Sequence, residues 1–414
     1  MTGKERIKGL LRKSEHIFKT DMVYAAGGGF WLILGQIVSM GSSFLLAIAF
    51  AHLVSQEVYG TYRYILSVVG MFMSFSLSGL SPAVTRAVAR GNEGTLLKSF
   101  LTNLSWSGLL ATGMGLFALY YALHGNTVLC YSLLFAAAFA PFTDSFELHT
   151  SYLNGKKLFK VSSTINALRG IIATSVLILS LFLTHNPVLI VGTYFLIHFL
   201  ITGYAFYYTY IRFKPNHRID PDAKRLGAHV SIINGFAALA DRVDNIILFH
   251  YFGPIQLAIY NFSLLIPTNI LGLIKNIGTL AVPKLALKEV SAAKKTIVQK
   301  SFTLLLLTVP ITLIYVFFAP ILFHYFFPQY HAAIIYSQVF AITILMSGTM
   351  PLSLLDAQIA LKEKYTLSVI SNTIKITLIF VGIYYFGIWG AIIARIASKT
   401  IGLLTAYTLM LRMA

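Results

Sequence analysis

SIINGFAALADRVDNIILFHYFGPIQLAIYNFSLLIP, residues Ser231 to Pro267, is apolar enough to cross a bilayer. It nevertheless carries Asp241, Arg242 and Asp244 about half-way along what reads as a single helix. A charge at that depth costs roughly 2.5 to 17 kcal/mol, so such residues normally face other helices or a water-filled cavity. Polar chemistry is therefore expected inside the membrane. The stretch lies near the middle of the chain and its flanks echo the N-terminus, which marks it as the opening of the second half of a duplication.

Composition sets the class. The 414 residues are 57% hydrophobic and only 11% charged, with a mean hydropathy of +0.75. Repeated apolar runs of about 20 residues imply an all-α polytopic membrane protein, because a helix satisfies its own backbone in lipid. A β-barrel would show short alternating segments instead. The single cysteine, Cys130, excludes an internal disulfide and a cysteine-rich metal site. The histidines show no metal-ligand spacing, so no metal is expected.

Hydropathy places spans near 26–51, 62–84, 99–123, 127–150, 161–184 and 188–211, then near 230–251, 256–281, 301–321, 332–359, 366–386 and 388–410. Twelve transmembrane helices in two six-helix bundles follow, 26–211 and 230–414, joined by a basic cytoplasmic linker at 212–229. Residues 1–25 form a basic amphipathic segment, with Ile7, Leu10, Leu11, Ile17 and Phe18 on one face, expected to lie on the membrane surface. Lysines and arginines crowd the N-terminus and the loops after even-numbered spans, for example Arg86, Arg90, Lys156, Lys157 and Lys160. Arg63 alone falls on the other side. By the positive-inside rule both termini are cytoplasmic. The net charge of +18 is then a topology signal and gives no reason to expect nucleic acid binding.

Within the spans stand Arg169, Arg242, Lys275, Lys375, Arg395 and Lys399, against Asp144, Glu147, Asp241, Asp244 and Asp356. Cations outnumber acids, which favours an anionic substrate. The halves also repeat: His52 to Tyr62 aligns with His250 to Tyr260 at an offset of 198. Gly79 to Arg86 matches Gly278 to Lys284 in ending a span with a proline and a cation, and Pro141 and Pro351 each interrupt a fourth span. An even number of helices per half gives both the same orientation, related by an axis along the membrane normal.

The run from Leu53 to Gly91 resembles the second-helix signature of the polysaccharide-biosynthesis flippases of Wzx type, in the superfamily that also holds the MATE multidrug exporters and the lipid II flippases. Ser55, Glu57, Gly60, Tyr62, Gly79, Leu80, Ala83 and Arg86 occupy the signature positions, and Asp241 to Tyr260 resembles the matching region of the second half, with Ile259 where Gly is usual. The resemblance implies a V-shaped pair of bundles around a central cavity in the bacterial inner membrane. It would move polyprenyl-diphosphate-linked oligosaccharide between leaflets by alternating access, for cell-surface polysaccharide such as O-antigen, lipopolysaccharide or exopolysaccharide. Membrane lipids, and a polymerase and glycosyltransferases, would be its partners.

A diphosphate needs several cations at close range in low dielectric. Arg169, Lys375, Arg395 and Lys399 are the expected contacts, Arg395 and Lys399 sharing a helical face. Arg242 and Arg86 stand second, the former beside neutralising aspartates and the latter at the cytoplasmic mouth. No phosphate-binding loop for ATP is present and no cofactor is expected. The pairs Asp241/Asp244 and Asp144/Glu147 are the candidates for coupling to H+ or Na+, because close carboxylates resist joint ionisation; balancing the buried cations is their other reading. Two alternatives stay open. A MATE-type cation-coupled small-molecule exporter would prefer an acidic or apolar cavity. A membrane glycan polymerase or ligase would need larger outer loops than His124–Asn126 or Thr184–Pro187.

Overall fold

A computed structural model describes residues 22–286, 290–347 and 361–412. Among these residues the chain is helical, with no strand. Most of the expected surface segment, together with Asp356 and Pro351, lies outside them, and the side chain of Lys275 is not described either. The first half comprises α1 (Met22–Leu53), α2 (Gln56–Met73), α3 (Leu80–Ala89), α4 (Thr95–Leu123), α5 (Thr127–Phe146), α6 (Leu148–Gly155), α7 (Phe159–Leu183) and α8 (Pro187–Phe213). The second comprises α9 (Ala223–Ala240), α10 (Val243–Ala286), α11 (Val290–Phe326), α12 (Ala333–Phe340), α13 (Ile342–Leu345) and α14 (Leu361–Arg412). Among the described residues, eight stretches are long and apolar enough to cross a membrane.

Two of the long helices are hairpins. Gly253 sits at φ 79° inside α10 and Gly387 at φ 56° inside α14, conformations that favour glycine. A straight helix would hold Asp244 and Tyr260 about 24 Å apart, yet the Tyr260 hydroxyl donates to the Asp244 carboxylate. The chain therefore turns back at Gly253, so α10 has a first arm (243–252) and a second arm (254–286).

The deciding stretch is thus not one helix, as its hydropathy suggests. It breaks at Asp241–Arg242, between α9 and α10, before folding back at Gly253. The expected span 62–84 is also divided. Helix α2 begins earlier, at Gln56, capped by Ser55 Oγ accepting from Val58 N at 3.4 Å, and the chain leaves the helix after Met73. Polar partners satisfy the groups freed by the break: Trp106 Nε1 donates to Phe75 O at 2.8 Å, Leu77 N donates to Asn103 Oδ1 at 3.2 Å, and Gly79 N donates to Ser231 Oγ at 2.9 Å. Lipid could not supply them. The linker is shorter than expected as well, because α9 starts at Ala223.

The halves meet along α2–α3 against α9–α10. A Cβ on Gly60 would lie 1.9 Å from Pro254 O, so this signature glycine is required by close backbone approach. Towards the end away from the basic loops, Tyr59 packs on Phe262 with centroids 4.7 Å apart and Phe262 stacks on Tyr330 at 3.7 Å. Phe50, Tyr59, Phe262 and Tyr330 are all buried, forming an aromatic seal across the halves.

At the basic end, Glu93 accepts from Lys156 Nζ at 2.5 Å and from the Tyr152 hydroxyl at 3.0 Å, while its N–H donates to Asn216 Oδ1 at 3.2 Å. Burial by itself raises the Glu93 carboxyl, but the bonds from Lys156 and Tyr152 outweigh it and hold the carboxyl below its ordinary value. A depressed folded value means stabilisation that is present above the unfolded range, near pH ~4.3, and fades as pH falls through the folded value. The melting temperature in detergent should therefore show an acid limb below about pH 4.3 that Glu93→Gln makes shallower. Identical limbs in the two proteins would remove Glu93 from this account.

Candidate functional site: a cavity lined by Arg63 and Arg242

Below the aromatic seal lies a cavity of about 540 Å³, walled by the first half and reached from the second by Arg242. Helix α2 contributes Arg63 and Gly70, α5 contributes Asp144, Glu147 follows α5, α8 contributes Tyr194 and His198, and Arg242 enters from the second half. Gly70 makes room for Arg242: a Cβ there would lie 2.9 Å from its Cζ.

The structure sorts the expected site residues by partner. In the first half Arg169 donates to Glu147. In the second half Lys375 pairs with Asp241. Arg395 Nε donates to Asp244 Oδ2 at 2.5 Å and its Nη2 donates to Asp241 O at 3.2 Å, which also satisfies a carbonyl at the helix break. Lys399 Nζ donates to Thr343 O at 3.2 Å. Arg395 and Lys399, expected to share one substrate-facing surface, are thus engaged within their own half. Arg86 is exposed on α3 and does not line the cavity.

Three of the expected site residues do meet in the cavity, namely Arg242, Asp144 and Glu147. Arg63, placed by hydropathy on an outer loop, joins them and corrects that expectation. It sits two turns inside α2 because the helix starts at Gln56. Neither Arg63 nor Arg242 forms an ion pair among the described residues, and the two guanidiniums lie within electrostatic reach of one another. Asp144 accepts from Asn103 Nδ2 at 2.8 Å and has no cation within ion-pair distance among the described residues. No cluster of three or more His, Cys, Asp or Glu side chains suited to a metal occurs among the described residues.

The sequence matches the polysaccharide biosynthesis protein family over residues 25–282. The chain belongs to that family. No curated protein matches it. Solved structures share the fold of this polysaccharide biosynthesis protein. It is similar to the lipid II flippase MurJ in an inward closed conformation, with TM-score 0.73 and 14% identity, covering 92% of this chain and 86% of that one. It is also similar to an outward-facing MATE multidrug resistance transporter of the MOP superfamily, with TM-score 0.63 and 13% identity, covering 94% and 97%. A third is a MOP transporter from Pyrococcus furiosus described by the reverse polarity of its binding pocket, with TM-score 0.60 and 13% identity, covering 93% and 96%. The family member is thus a multi-pass membrane protein with the helical fold of MATE transporters and MurJ.

The Asp244 pair has a measurable consequence. Asp244 is fully buried, and breaking such a pair from one side costs about 3–5 kcal/mol. Arg395→Met should destabilise the protein by about that amount, whereas Arg395→Met with Asp244→Leu should recover most of it. Thermal unfolding in detergent distinguishes them; equal losses would show that the two side chains are not coupled.

Proposed function

We propose that this membrane flippase translocates polyprenyl-diphosphate-linked oligosaccharide from the cytoplasmic to the outer leaflet by alternating access, for cell-surface polysaccharide biosynthesis. The observation that carries the reading is the cavity of the first half with Arg63 and Arg242, neither held by a carboxylate among the described residues. Two guanidiniums in a low-dielectric site suit a diphosphate, which accepts paired charge-assisted bonds. Arg63 and Arg242 are the primary contacts. Arg169, held by Glu147 at the edge of the cavity, is a further contact that an entering phosphate competes for. Lys375, Arg395 and Lys399 hold the second half in shape, and Arg86 draws anionic head groups at the cytoplasmic mouth.

The basic end faces the cytoplasm of the bacterial inner membrane in this reading, with both termini on that side. Lipid-linked precursors arrive there from glycosyltransferases, and a polymerase takes up the flipped product. The protein acts as a transporter and catalyses no bond change. If an ion is coupled, Asp144 is its site: Asp241, Asp244 and Glu147 already hold cations, whereas Asp144 is held by the neutral Asn103 and is free to exchange H+ or Na+. A MATE-type exporter of cationic compounds is disfavoured by the same two arginines, and a polymerase or ligase by the short turns at the end opposite the basic loops.

Purified protein in proteoliposomes should bring a labelled polyprenyl-diphosphate oligosaccharide to the opposite leaflet. Arg63→Ala with Arg242→Ala should slow this by about a hundredfold, the loss of two charge-assisted contacts. Unimpaired flipping by the double variant, or efflux of small cations in place of glycan flipping, would overturn the proposal.

A further inference from the structure

Arg63 has a second attachment, and it crosses the halves. Its Nε donates to Asn261 Oδ1 at 2.8 Å. Asn261 Nδ2 donates to Asn245 Oδ1 at 3.2 Å, Asn245 Nδ2 donates to Ser67 Oγ at 2.8 Å, and Ser67 Oγ donates to Arg63 O at 2.8 Å. The circuit closes on itself. Two members sit on α2 of the first half and two on the arms of α10 in the second. Ser67, Asn245 and Asn261 are all buried, and outside the ring Asn261 Nδ2 also donates to Leu257 O at 2.9 Å. Arg63 is the one member that lines the cavity. Immediately beyond it stands the aromatic seal of Tyr59, Phe262 and Tyr330.

We propose that Arg63 is a substrate-operated tie: it holds the halves together through Asn261 in the empty protein, and a phosphate-type anion in the cavity draws it away and releases the seam. The trigger rests on the reading of the cavity as a diphosphate site; the tie itself does not. A neutral amide oxygen is the weaker acceptor, since bonds to an anionic oxygen are about twice as strong. Once Arg63 turns to the anion, Asn261 Oδ1 is left in a buried seam without its donor, which penalises the closed arrangement alone. Separation of the halves relieves that penalty by admitting water. The anion thereby favours one state over the other, which is the condition for a ligand to shift a conformational equilibrium.

The experiment uses the full chain in nanodiscs with Cys130→Ser, so that spin labels on Thr127→Cys and Tyr385→Cys report the separation of the halves. Both positions are exposed at the end opposite the basic loops. Farnesyl diphosphate is the probe, and its binding is measured separately by calorimetry. Wild type should be closed without the probe and shift towards longer distances with it. Asn261→Leu should raise the open-to-closed ratio by about tenfold without any probe. Ser67→Ala, a milder change to the same ring, should move it the same way by less. Asn261→Asp, which gives Arg63 a charged partner, should stay closed at probe concentrations that open wild type.

Closed distributions like the wild type's in both Asn261→Leu and Ser67→Ala would overturn the tie. Opening of Asn261→Asp at wild-type probe concentrations would overturn the exchange at Arg63. Failure of farnesyl diphosphate to bind wild type would overturn the substrate reading and the trigger with it, and is told apart from failure of the tie by the probe-free distributions.

Discussion

A residue and its repeat equivalent can touch only close to the axis that relates the repeats. Arg63 and Asn261 stand 198 positions apart, the repeat offset, and are hydrogen-bonded at 2.8 Å. The axis therefore runs through this contact, and the seam around it constrains everything else. Between helices in lipid the hydrophobic effect supplies little attraction, so association depends on close packing and hydrogen bonds. The seam has both. Gly60 lets α2 come against Pro254 at the start of the second arm of α10, and the polar ring from Arg63 through Asn261, Asn245 and Ser67 is satisfied all the way round.

The same seam governs where charge resides. Asp244 is fully buried and accepts from both Arg395 and Tyr260. Asn245 N donates to Asp244 Oδ1 at 2.8 Å, so the ion pair of the second half is joined to the ring. A buried pair of this kind contributes little net stability against an apolar replacement, while its half-removal costs several kcal/mol. Its physical effect is to hold Asn245 and the two arms of α10 in one arrangement. With Lys375, Arg395 and Lys399 thus engaged, the cavity is left with Arg63 and Arg242, which have no carboxylate partner among the described residues.

The membrane class and the helical fold were legible from residues alone, because apolar run length is a local signal. The helix breaks were not. Nothing in the hydropathy of Asp241–Arg242 distinguishes a charged turn of helix from a break, since what stabilises the break is a distant donor, Arg395 on Asp241 O. Arg63 was misplaced for a nearer reason. Hydropathy alone starts the span near Tyr62 and leaves Arg63 at its edge, whereas Ser55 as an N-cap, with Glu57 in the first turn, starts the helix earlier and draws Arg63 inside. Extending the repeat alignment by one residue beyond Tyr62 and Tyr260 pairs Arg63 with Asn261, a signal that was present in the chain.

The triplet that first marks the central stretch can now be understood by direction. Asp241 caps the end of α9 and Asp244 lies in the first turn of α10, with Arg242 in the break between them. Asp241 and Asp244 accordingly meet Lys375 and Arg395 of the same half, while Arg242 lies against Gly70 of the other. The acids are consumed in holding α9 and α10 to α14, and the arginine between them is left to the cavity. A sequence with the arginine moved to the 241 position and an aspartate at 242 would have the same composition, hydropathy and net charge. It would turn a carboxylate into the cavity and bring a cation against Lys375, reversing the polarity of the site without altering anything that composition can detect.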